Sequence, residues 1–165
     1  NRSAEIYGAI ENSRLAWPDL LHHAESLFWI GSKADALAAT RRVIEISERH
    51  PAALIQMAAL LGFSEQEEEG EKILNEAQSA VTEASFFPSS AFAIAYLGLG
   101  DVSMALSSLE SGFDEKGSWP MLELRRDTFL RRLGDEPRFW ALVSAMKFPE
   151  LPLYHEFHQK EQSMR

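Results

Sequence analysis

Histidines, a cluster of arginines and a run of glutamates are the side chains here with chemistry to offer, and their spacing decides what chemistry that is. His155 and His158 lie three apart, which puts both imidazoles on one side of a helix where they would reach a single metal ion. The H-E-x-x-H spacing is missing and no third ligand stands nearby, so an exposed tail helix is the expected reading and no metal is expected. His22 and His23 are adjacent and point in different directions on a helix, His23 towards packed positions. With no cysteine, a thiolate nucleophile, a disulfide framework and a cysteine zinc site are all excluded. There is no G-x-G-x-x-G, no G-x-x-x-x-G-K-[ST] and no G-x-S-x-G, so phosphate-cradling and nucleophile-elbow sites have no anchor. The chain is expected to be non-catalytic and to carry no cofactor.

Arg125, Arg126, Arg131, Arg132 and Arg138 form a basic cluster in which Asp127, Asp135 and Glu136 are interleaved. Residues 1–120 hold 8 basic and 18 acidic side chains, whereas 121–165 hold 8 and 7. Local ion pairing and contact with the acidic part therefore explain the arginines better than a nucleic-acid partner does. The net charge of −9 points the same way, since binding to a phosphate backbone relies on Lys and Arg displacing counterions. Glu65, Glu67, Glu68, Glu69 and Glu71 crowd what reads as the start of a helix, where each negative charge is favoured by about 0.3–1 kcal/mol. The longest apolar stretch, residues 91–100, is about half the length a membrane helix needs, so no membrane insertion is expected.

What must position these residues is a repeat. Ala24, Leu27, Ala36, Thr40 and Val43 recur as Ala58, Leu61, Gly70, Leu74 and Ala77, then as Ala93, Tyr96, Ala105, Leu109 and Gly112. The starts are 34 and 35 residues apart. Steps of three and four place residues on one helix face, and the nine-residue step leaves room for a turn, so each unit reads as a helical hairpin. Gly31-Ser32 and Gly100-Asp101 supply a helix-ending glycine followed by a capping oxygen, and between them Gly62-Phe63-Ser64 reads as the equivalent turn with Ser64 as cap.

These residues resemble tetratricopeptide repeats, whose pattern is W-x2-L-G-x2-Y, A-x3-F-x2-A and P in 34 residues. The third unit, Phe92-Ala93-x2-Tyr96 with Ala105-x3-Leu109-x2-Gly112, matches best, and the resemblance covers residues 17–117. It implies an all-α, right-handed α-solenoid with a half repeat at 1–16, repeats at 17–50, 51–85 and 86–118, cap helices at 119–148 and a tail or helix at 149–165. Asp135 is the expected cap of the last helix, with Pro137 in its first turn. Phe139, Leu142, Val143 and Met146 make an apolar face suited to close the end of a stack. The C-terminal part is similar to the ends of repeat regions attached to bacterial transcriptional regulators or nucleotide cyclases. With no methionine ahead of Asn1, the chain reads as a piece cut from within such an array.

The resemblance also implies a concave groove lined by the first helix of each hairpin. By internal spacing the inward residues are Leu21, Glu25, Phe28 and Trp29, then Ile55, Gln56, Ala59 and Phe63, then Phe87, Ser90, Ile94 and Leu97. Members of the family that clamp a terminal carboxylate use Lys, Arg and Asn there, and this list has none. The expected partner is an apolar or amphipathic protein segment. A small-molecule ligand and a homodimer are the alternatives, and Leu151, Leu153, Tyr154 and Phe157 of the chain's own tail are available to cover the aromatics. The expected location is cytoplasmic, or periplasmic if the parent regulator is membrane-anchored.

Overall fold

The computed structural model describes residues 17–81, 87–115 and 127–147, and among these every regular element is helical. In chain order they are α1 (Trp17–Trp29), α2 (Lys33–Ile46), α3 (Pro51–Gly62), α4 (Glu67–Ala80), a 3-10 turn (Ser89–Phe92) continuing into α5 (Ala93–Gly98), α6 (Val102–Asp114), a second 3-10 turn (Leu130–Leu133) and α7 (Pro137–Ala145). The expected half repeat at 1–16, the Trp119 segment and the tail at 149–165 lie outside the described residues.

Helices α1 and α2, α3 and α4, and α5 and α6 pack as hairpins, each pair joined by a short turn, and α3 also touches α1, α2 and α5. The second helix of each pair is amphipathic. In α2 the buried residues Ala36, Leu37, Thr40, Val43 and Ile44 fall on one face, as do Gly70, Leu74 and Ala77 in α4. By contrast α3 is buried nearly all round, with Ala53, Leu54, Ile55, Met57 and the stretch Ala58, Ala59, Leu60, Leu61, Gly62 all inside. It begins at Pro51, whose missing N–H costs nothing in a first turn, and His50 caps it by accepting a hydrogen bond at Nδ1 from Ala52 N, 3.2 Å away.

Of the fifteen positions in the repeat phase, all but Leu27 and Tyr96 are buried, and those two are half-buried. Small residues are there because backbone approaches backbone. A methyl group added at Gly98 would lie 2.5 Å from the Ala59 carbonyl oxygen, and one at Gly62 2.5 Å from the Gly98 carbonyl carbon.

The first helices of the hairpins end alike. Ser32 N donates to Leu27 O, Gln66 N to Leu61 O and Asp101 N to Tyr96 O, each closing a six-residue loop around a residue of positive φ: Gly31, Glu65 and Gly100. The middle turn therefore corrects the expectation that Ser64 caps α4. The phase that carries Gly31-Ser32 to Gly100-Asp101 passes through Glu65-Gln66, so the chain spends Ser64 inside the turn and α4 starts at Glu67 behind Gln66, which makes no side-chain capping bond. Asp101 does cap, accepting from Met104 N at 2.9 Å, whereas Ser32 occupies the cap position without a side-chain bond. At α7 the cap position falls to Glu136, one residue later than Asp135, with Pro137 in the first turn.

Candidate functional site

Trp29 and Phe63 stand 34 positions apart, at equivalent points near the ends of α1 and α3, so the repeat brings them side by side. With Phe28, one residue before Trp29, they form an aromatic slot. Phe28 and Trp29 meet edge to face at 5.7 Å between ring centroids, and Phe28 and Phe63 lie 6.0 Å apart. Lys33, at the start of α2, supports the slot from outside: its Nζ donates to the Phe63 carbonyl oxygen at 3.2 Å and sits 5.8 Å from the Phe28 ring.

The slot is filled by the chain itself. Phe129 is 2% exposed and contacts all three rings, 4.8 Å from Trp29, 5.9 Å from Phe28 and 5.0 Å from Phe63, the last pair only 5° from parallel. The guanidinium of Arg132 lies 4.5 Å from the Phe63 centroid. Three residues per turn explain why one short segment delivers both groups: in a 3-10 turn side chains at i and i+3 eclipse, so Phe129 and Arg132 share one side while Leu130 and Leu133 share another. Leu130 and Leu133 are buried in a second cluster with Ala93, Leu97, Ala105, Leu106 and Leu109. The segment is set by Asp127, whose Oδ1 accepts from Phe129 N at 2.8 Å and Leu130 N at 3.1 Å. It also brings Asp127 towards Glu25. Burial, then the Asp127 charge, push the Glu25 carboxyl above the ordinary value of 4.5, against the hydrogen bond from Trp29 Nε1 at 3.4 Å and the weaker pull of His22.

The expected groove residues thus divide. Phe28, Trp29 and Phe63 come together at the slot with Glu25 at its rim. Leu21 and Ile55 are core residues, and Ala59 and Leu97 are buried as well. Gln56 is half-buried and ties α3 to α1 by donating from Nε2 to the Leu21 carbonyl oxygen at 2.8 Å. Ser90 is buried against Gly112, where an added methyl would meet its Cβ at 2.4 Å. Phe87 sits apart from the slot, near His50 and Phe92, and Ile94 is half-buried among residues packed on both clusters. Leu151, Leu153, Tyr154 and Phe157, the expected covering residues, lie outside the described residues; among the described residues Phe129 covers the slot.

Sequence reasoning missed Phe129, Arg132 and Lys33 as partners of these rings. The signal was present in the equivalence of Trp29 and Phe63, and in the spacing of three that separates Phe129 from Arg132 and Leu130 from Leu133. Of the arginine cluster, Arg138 pairs with Glu110 through Nε at 2.9 Å and Nη2 at 2.7 Å, the contact with the acidic repeats expected for these residues.

Chemically, the slot holds a flat ring and a cation, with the Glu25 carboxyl at its rim. Among the described residues no group of three or more His, Cys, Asp or Glu side chains is placed to hold a metal ion, and no helix is long and apolar enough to cross a membrane. No family model, curated protein or solved structure matches the chain.

Proposed function

We propose that this chain is a tetratricopeptide-like α-solenoid acting as a non-catalytic protein-interaction module. In this reading it is the C-terminal regulatory part of a larger bacterial signalling or transcription regulator, and it takes an apolar or amphipathic segment of a partner along the face formed by α1 and α3. The observation that carries the reading is the aromatic surface built from equivalent positions of two neighbouring hairpins. Its outer edge is accessible: Trp29 keeps 39% of its surface exposed and Ile30, the next residue, 75%. Aromatic residues of this kind dominate binding energy at protein interfaces.

The structure changes which substitutions test the idea. Phe28 is core, so replacing it would damage the fold along with the surface. Trp29→Ala combined with Ile30→Asp removes the outer wall of the slot and its exposed neighbour without touching a core residue. A partner isolated on the wild-type chain and then purified should bind the double variant at least tenfold more weakly, with the helical circular dichroism of the variant unchanged. Equal affinity would rule this face out as the binding surface.

A further inference from the structure

The segment in the slot has the character of a ligand. Its described backbone hydrogen bonds are local: Phe129 N and Leu130 N go to the Asp127 carboxylate, Arg131 N to Asp127 O, Arg132 N to Phe129 O. What reaches the slot is side chains, a ring laid flat on Phe63 and a guanidinium beside it. Its entry also brings the Asp127 carboxylate, which caps the turn, close enough to the half-buried Glu25 to add to the effect of burial in raising that carboxyl's pKa. The far side of the same turn, Leu130 and Leu133, is seated in a separate hydrophobic cluster that continues into α7, an attachment that does not depend on the ring in the slot.

We propose that residues 127–133 are a built-in ligand that keeps the slot closed, and that the slot opens to a partner segment of the same chemistry: an aromatic residue followed three positions later by an arginine on one turn of helix. Tethering gives the internal segment a high effective concentration, so an external peptide displaces it only when it binds more tightly or when the internal ring is removed. The proposal rests on the interaction-module reading for the identity of the displacing partner, not for the behaviour of the slot.

The test is a titration with a synthetic peptide of residues 127–133, followed through the indole N–H resonance of Trp29. Phe129→Ala, which empties the slot, should bind the peptide at least tenfold more tightly than the wild-type chain, and a peptide with alanine in place of its phenylalanine should not bind. If the folded Phe129→Ala chain binds no better than wild type, or if both peptides bind alike, the proposal is overturned. Should Phe129→Ala fail to fold, Phe129→Leu, which keeps an apolar side chain but removes the internal ring, is judged by the same criteria. Peptide capture by the opened slot in a chain for which no protein partner exists would overturn the module reading and leave this one standing.

Discussion

At one end of the C-terminal segment, Arg138 grips Glu110 through two hydrogen bonds while Leu133, Phe139 and Leu142 sink into a mainly leucine and alanine cluster; at the other, Phe129 lies among aromatic rings and the Asp127 charge acts on Glu25. One end has complementary charge and close packing. The other has flat rings, a partly exposed tryptophan and two carboxylates whose charges oppose each other. The difference teaches that equal burial can hide unlike surroundings, and it is this contrast that the proposed binding contact rests on. Leu133 and Phe129 are both almost fully buried, the first in the C-terminal cluster and the second in the main core, and only the second is in ring contact with the partly exposed Trp29.

Truncating the attached end should have the largest effect. Leu133→Ala removes a fully buried side chain from the C-terminal hydrophobic cluster and should cost about 2–5 kcal/mol in urea denaturation. A loss under about 1 kcal/mol would show that this end is no firmer than the slot and would break the comparison.

Glu25→Gln should act more weakly and in the opposite direction. The folded chain raises the Glu25 pKa above 4.5, so it holds that proton more tightly than the unfolded chain does. The stabilising contribution is therefore complete below about pH 4.5 and is lost as pH rises through the higher folded value. Glutamine imitates the protonated carboxyl, so the variant should be more stable than wild type at pH 7, with the gain disappearing in acid. A variant that is equal or less stable at pH 7 would remove the electrostatic opposition from the account.

The smallest effect belongs to Arg138→Ala, whose ion pair with Glu110 is about 40% exposed on both sides and is therefore largely screened by solvent. Here the sign reverses. The hydrogen bond from Arg138 holds the Glu110 carboxyl below its ordinary value, so this contribution is present above pH 4.5 and fades as pH falls through the lower folded value. The difference between Arg138→Ala and wild type should shrink in acid and in high salt.

Much of the hairpin architecture was legible in the sequence because small residues at a fixed period leave a pattern that does not depend on distant contacts. Ala24, Ala58 and Ala93 mark it, and all three are fully buried. The Ser64 cap failed for a local reason. Serine is the better capping residue, but the length of the turn is set by the repeat, and a non-glycine residue, Glu65, takes the left-handed conformation that Gly31 and Gly100 take elsewhere. The slot was half legible. Phe28, Trp29 and Phe63 could be placed together from spacing, whereas the arrival of Phe129 from 66 positions beyond Phe63 has no periodic signature, because it follows from a single turn with a period of three.

The bare contact between Gly62 and Gly98 bears on how such a chain can evolve. Gly62 is the counterpart of Phe28 and Leu97 in the neighbouring hairpins, and Gly98 the counterpart of Phe63 and Trp29. Copying the third hairpin over the second would put a leucine where only a glycine clears the backbone of the next helix, and a glycine where the slot needs a ring. The units share a period, but they are no longer interchangeable parts: each has become specific to its place in the row, and gain or loss of a hairpin within this stretch would sacrifice either the joint or the slot.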